Sequence, residues 1–227
     1  MAATPEDAAP LPSEEKGLKL RLAAVARRLL ERDGLEALTL RAAAREAGVS
    51  HMAPYRHFKD KAELLAAVAA QGFRELTECM DRAIAAEGHP RASGAAYVSF
   101  ALDNPALYKL MSGAGLAAAG RTPELAAAGA EAFQRCLAAS GADPASFGTG
   151  ETPAQAIAIW SIVHGLASLV IDGLVTLPPK GSARDARIAD ILQLAAANAP
   201  ADVTFEISSP DSGDEKESCA AKRGAGT

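Results

Sequence analysis

Residues 38–58, LTLRAAAREAGVSHMAPYRHF, place three local structure signals within one short stretch. They constrain the fold more than any bulk property of the chain. Thr39 is a helix-capping residue at the head of LRAAAREA. Gly48 lacks a Cβ and permits the left-handed turn that a sharp reversal needs. Ser50 follows as a second cap, and Pro54 falls four residues later, where its missing N–H and fixed φ oppose a regular helix. The spacing predicts a short helix, a tight reversal, and a very short third helix ending near Phe58. That third helix starts either at Ser50 or, because the residue before proline avoids the α region, only at Pro54, with residues 50–53 as a distorted turn.

The flanking sequence is helical. Leu18, Leu22, Val25 and Leu29 recur at helical spacing over residues 16–32, and Asp33-Gly34 supplies a stop. Asp60 with Glu63 three residues later forms a capping-box-like start for a long fourth helix, whose stripe Leu65, Val68, Gly72, Leu76, Cys79 and Ala83 carries it to about residue 86. Further helical patterns cover residues 91–103, 105–111, 122–140, 153–176 and 183–198. The breaks SGAGLAAAGR, GADPASFGTGE and LPPKGS read as loops. The 49% hydrophobic share is mostly Ala and Leu, and alternating apolar runs are nearly absent, so the expected fold class is all-α. Residues 1–15 read as a disordered arm without the features of a signal peptide, and residues 200–227 as a disordered tail. No internal repeat of fixed period is present.

Net charge is −5, yet residues 16–61 hold eleven Lys or Arg against five Asp or Glu. That local balance of +6 leaves −11 for the rest of the chain. A basic module on an acidic body suits phosphate binding, because the local field attracts the polyanion. Cys79, Cys136 and Cys219 are odd in number and far apart, which argues against a disulfide framework or a zinc site and for a reduced, cytoplasmic setting. Cys79 and Cys136 read as small core residues. Residues 156–175 approach the roughly 20 apolar residues of a membrane span. Ser161, His164, Ser168 and Asp172 interrupt them, so a buried or interface helix is expected and no membrane association.

Two short helices joined by a Gly-containing turn describe a helix-turn-helix, with the second helix entering the major groove. The stretches LTLRAAAREAGVS (38–50), YRHF (55–58) and KAELL (61–65) resemble the N-terminal domain of TetR/AcrR-type transcriptional regulators over the first quarter to third of the chain. The resemblance implies a three-helix DNA-binding domain at residues 16–62 and, at 63–199, a helical domain that binds an effector and dimerises. NPALYKLM and IWSIVHGLASLVIDG are similar to a subgroup with a Trp, a His and a Gly on one late helix, here Trp160, His164 and Gly165.

Within the third helix Pro54 and Phe58 share one face, which should meet the core, and the pairs His51 with Tyr55 and Met52 with Arg56 are left for DNA. His51 and Met52 are the candidates for base edges. Tyr55 and His57 resemble family positions that bond phosphate, and Thr39, Arg41, Ser50 and Lys61 are further backbone contacts. For Thr39 and Ser50 the competing role is capping, and for His57 it is burial within the fold. Arg27, Arg28 and Arg45 read as solvated charges. An apolar effector pocket is expected around Phe100, Leu107, Met111, Phe133, Trp160 and His164, although Trp160 and His164 fit dimer packing equally well. The homodimer interface is expected at Ile157, Leu169, Ile188, Ile191 and Leu192 in a four-helix bundle.

The functional expectation is a homodimeric repressor on a pseudo-palindromic DNA operator, released by a small apolar or amphipathic molecule and needing no cofactor or metal. The alternative is an adaptor of the same fold acting through a protein partner. An enzyme is disfavoured, since His89 and His164 have no nucleophile or paired carboxylate at motif spacing.

Overall fold

The computed structural model describes residues 14–119, 122–140 and 154–197. Residues 1–13 of the expected N-terminal arm, the C-terminal tail and the 141–151 loop, together with Cys219, lie outside the described residues, while Glu14 and Glu15, expected in the arm, begin the first helix. Among those described, the fold is all-helical: α1 (Glu14–Ala37), α2 (Leu40–Glu46), one 3₁₀ turn (Ala53–Arg56), α3 (Lys61–Glu87), α4 (Ala92–Asp103), α5 (Pro105–Met111), α6 (Gly113–Ala119), α7 (Pro123–Ser140), α8 (Ala154–Ile171) and α9 (Ser182–Ala197).

Local chemistry accounts for the N-terminal third. The Thr39 hydroxyl accepts a hydrogen bond from the Ala42 N–H at 3.0 Å and opens α2. At the other end Gly48 takes φ 67°, its N–H reaches the Arg45 carbonyl at 3.2 Å, and the Val49 N–H reaches that of Ala44 at 3.0 Å. This is the paired closure that a left-handed residue allows after a helix. The structure corrects the role of Ser50. No side chain caps the next element, which begins only at Ala53 and never becomes α-helical. Pro54 has no N–H for the Ser50 carbonyl, and that carbonyl instead accepts from Ala53 at 3.0 Å. The tighter 3₁₀ geometry thus satisfies a group that an α-turn through proline would leave unpaired.

Pro54 is buried and Phe58 is 1% exposed, so the core-facing pair lies where its spacing puts it. Asp60 accepts from the Glu63 N–H at 2.9 Å, and Glu63 accepts in return from the Lys59 N–H at 2.7 Å, which fixes the start of α3. This long helix is the spine of the molecule, packing against α1, α4, α5, α6 and α7. The buried apolar residues form one continuous cluster from Leu22 to Ile188. A boundary after residue 62 therefore falls within the first turn of α3, not at a break in the core.

Two expectations for the body change. Residues 113–119, read as loop, form α6. Gly115 makes the abrupt α5–α6 junction feasible, since a Cβ there would lie 2.1 Å from the Lys109 carbonyl oxygen. Helix α8 ends at Ile171, five residues before its expected end, as the Gly173 N–H turns back to the Val170 carbonyl at 3.1 Å. By length and composition α8 is apolar enough to cross a membrane. In this fold it buries Ala156, Val163, Leu166 and Ala167 and packs against α4, α7 and α9.

Phe58 joins the 3₁₀ turn to the core, so its truncation should be expensive. Phe58→Ala is expected to lower unfolding free energy by about 3 kcal/mol, read as a reduced urea midpoint with an unchanged slope.

Candidate DNA interface and effector region

The 3₁₀ turn and its approach expose a continuous strip. His51, Met52, Tyr55 and Arg56 are all exposed, with Thr39, Arg41 and Ser50 also exposed at the start of α2 and in the preceding turn. Met52 and Tyr55 are large side chains left in solvent opposite Pro54 and Phe58. His57 is half-buried, between its two expected roles. Lys61 does something the sequence did not suggest: its ammonium donates to the Leu35 carbonyl at 2.9 Å and ties α3 to the end of α1. Its position is thereby structural, and any phosphate contact must use its remaining donors.

Arg27 corrects the reading of the α1 arginines as solvated charges. Its side chain is 18% exposed and bonds Glu31 at 2.9 Å, Glu75 of α3, and the Asn104 Oδ1 at 2.8 Å. Gln71 donates to the other Glu75 oxygen at 3.0 Å. Burial works against the charged guanidinium, but the two carboxylates outweigh it and hold its pKa above the usual arginine range. One side chain of the helix-turn-helix module is thus bonded to α3 and to the residue between α4 and α5.

In the body, the structure splits the expected effector lining. Leu107 and Met111 are buried in the core against α3, where a Cβ on Gly72 would lie 2.6 Å from Met111 Sδ and 3.0 Å from Leu107 Cδ1. They are core packing, because no space separates them from α3 in which a ligand could sit. Phe100 is buried too. Phe133, Trp160 and His164 do come together, with ring centroids 5.4 Å apart for Phe133 and Trp160 and 5.8 Å for Trp160 and His164.

Two residues that sequence reasoning missed complete this cluster. Tyr108 Oη lies 2.7 Å and Tyr97 Oη 3.2 Å from His164 Nδ1. The available signal was that buried tyrosines need a partner for their hydroxyl, and the chain has only three tyrosines. Burial pushes both phenols up in pKa and lowers that of His164. The neutral imidazole is the form suited to accept a hydrogen bond from Tyr108. Cys136, beside the cluster, is buried and its thiol is pushed up to about 11, so it is a small core residue and not a reactive thiolate.

Ile157 and Leu169 of α8 are 47% and 42% exposed, and Trp160 is 41% exposed. Ile191 and Leu192 are partly buried against the core. Ile188 is 0% exposed and is removed from the expected interface, because its side chain is already enclosed by its own fold. Leu194, not singled out from the sequence, is 62% exposed on α9.

A helix-turn-helix with an exposed polar strip, bonded to an all-helical body, defines a DNA-binding regulator. The family model for bacterial regulatory proteins of the tetR family matches residues 22–68, and that for the tetracyclin repressor-like C-terminal domain matches residues 90–193. The chain belongs to the TetR family of transcriptional regulators. Among solved structures it is similar to a protein with unknown function from Rhodococcus sp. RHA1, at 31% identity over 85% of this chain and 97% of that one, with a TM-score of 0.59. The fold is shared with a TetR family transcription regulator from Marinobacter aquaeolei VT8, at 16% identity over 82% of this chain and 96% of that one and a TM-score of 0.56. It is also shared with a TetR transcriptional regulator from Rhodococcus sp. RHA1, at 20% identity over 83% of this chain and all of that one and a TM-score of 0.54. No curated protein matches.

The depressed His164 pKa has a stability consequence of definite sign. The folded state resists protonation, so the His164 contribution is fully present above the unfolded value of about 6.5 and is lost as pH falls through the folded pKa. His164→Gln should therefore flatten the loss of stability between about pH 7 and pH 5 relative to the parent, measured by urea unfolding at each pH.

Proposed function

We propose that the protein is a homodimeric, ligand-responsive repressor that binds a pseudo-palindromic operator. The observation that carries this reading is the exposed strip of His51, Met52, Tyr55 and Arg56 on a module bonded through Arg27 to the body. Residues 16–62 supply DNA contact and residues 63–199 supply dimerisation and effector binding. His51 and Met52 read base edges. Tyr55, Arg56, His57, Thr39, Arg41 and Ser50 hold backbone phosphates, and Lys61 acts mainly by fixing α3 to α1.

The dimer forms through the exposed apolar face of α8, with Ile157 and Leu169, together with α9. Two recognition segments then meet successive major grooves about 34–36 Å apart. Ligand binding beside Phe133, Trp160 and His164 changes their separation. For derepression the ligand must bind the arrangement that cannot engage DNA more tightly than the one that can. The lining favours an aromatic or amphipathic molecule with a hydrogen-bonding group for His164 or its tyrosine partners.

Electrophoretic mobility shift on duplexes from upstream of its own gene tests the DNA reading, with binding expected to weaken steeply as salt rises. Tyr55→Phe should weaken binding to all sites by about tenfold, while His51→Ala and Met52→Ala should change the ranking among sites. A clean dimer that shifts no palindromic upstream fragment would transfer the proposal to a protein partner. Unaltered affinity and ranking in all three variants would refute the assignment of faces.

A further inference from the structure

A groove of about 360 Å³ lies between the end of α4, the start of α5, the end of α8 and the connection into α9. Leu102, Val170, Ile171, Leu177 and Pro178 give it apolar walls. Its polar end is formed by Lys180 and Arg184. The volume falls in the range of small-molecule sites.

The polar end carries more hydrogen-bond donors than its own fold pairs. Asp103 Oδ2 lies 2.6 Å from Lys180 Nζ, and Asp103 Oδ1 lies 2.9 Å from Arg184 Nη1. Two cations therefore share one carboxylate. The Arg184 side chain is only 9% exposed, and its Nε is buried with no hydrogen-bond partner. The adjacent Asp185 carboxylate, at 3.8 Å and 59% exposed, is too distant for a hydrogen bond and is largely solvated. Burial disfavours the Asp103 anion, yet Lys180 and Arg184 together hold its carboxyl below the usual carboxylate range. Counting Asp185, two carboxylates stand against Lys180 and Arg184, and the Arg184 Nε–H is left as a buried donor without a hydrogen-bond partner.

A latch pinning the connection to α4 would need only one of these cations. A buried guanidinium with an unpartnered donor, an exposed ammonium and an apolar trough fit a carboxylate with a hydrocarbon body better than a neutral molecule. We propose that this groove binds a small amphipathic monocarboxylate, its head held by Lys180 and Arg184 and its body laid along Leu102, Val170, Ile171 and Leu177. Asp103 immediately precedes Asn104, whose amide oxygen bonds Arg27 of α1. Head-group binding thus takes place one residue from the bond between body and DNA module.

The test is calorimetric titration of the full-length protein, without DNA, with sodium octanoate, octan-1-ol and sodium acetate. Octanoate should bind saturably at one site per chain, at least tenfold more tightly than octanol or acetate. Lys180→Gln alters an exposed side chain, and it should weaken octanoate about tenfold, the loss of one charge-assisted hydrogen bond, with the helical circular dichroism unchanged. Leu177→Trp, which fills the trough, should abolish binding with the helical circular dichroism unchanged. Octanol binding as tightly as octanoate, or octanoate affinity unaffected by Lys180→Gln, would overturn the proposal. Because no operator is present, these outcomes are independent of whether the chain represses transcription.

Discussion

Among the described residues, the Arg27 guanidinium is the one point at which a single side chain of α1 bonds both the spine α3 and the α4–α5 corner of the body. It bonds Glu31 on its own helix, Glu75 on the spine α3, and Asn104 at the α4–α5 corner. A half-buried charge is costly unless paired, and here two carboxylates and an amide oxygen satisfy it. The arrangement is also directional. The planar guanidinium reaches three elements only while they keep their relative positions, so a shift of the corner breaks a bond or moves α1 with it. Helix packing alone slides by small increments, whereas a bond to a buried charge favours one position over its neighbours.

The corner itself is rigidly built. The Asn104 amide donates to the Phe100 carbonyl at 2.9 Å, and the Asn104 carbonyl accepts from the Tyr108 N–H at 2.8 Å. Asn104 therefore closes α4, opens α5 and receives Arg27 at once. Tyr97 and Tyr108 flank it in sequence on these two helices and meet at His164 of α8. Asp103, its immediate neighbour, is held by Lys180 and Arg184. Two chemically different regions of the body thus converge on adjacent residues of one turn.

What could be read from sequence follows the range of the interactions. Thr39, Gly48 and Asp60 act on groups within three to five residues, and their capping and turn roles were legible. The burial of Pro54 and Phe58 followed from helical spacing, and the exposed strip followed as its complement. The start of the recognition segment was left between two options, because a 3₁₀ turn differs from a proline-disturbed α-turn only in which carbonyl each N–H finds. Helix α6 was hidden because glycine lowers helix propensity at the same position where close approach to a carbonyl requires it. Arg27 was misread for a different reason: besides Glu31, its partners Glu75 and Asn104 lie 48 and 77 residues away. Ile188 belongs to the same class, since periodicity identifies an apolar face but not which neighbour covers it.

His164 and the α4–α5 corner are physically linked through Tyr97 and Tyr108. His164 Nδ1 lies within hydrogen-bond distance of a tyrosine hydroxyl from each of the two helices that meet at Asn104, and its one lone pair suits the nearer, Tyr108. A ligand group that displaces either hydroxyl leaves a buried phenol in need of another partner, at a cost comparable to a lost hydrogen bond. Moving α4 against α5 restores a partner only by moving Asn104, and Arg27 must then follow or forfeit its amide bond. An effector of the kind proposed above would act by stabilising one complete set of these hydrogen bonds over another. For the dimer proposed above, the sign of the response depends on which set leaves His51 and Met52 of two chains spaced for successive grooves.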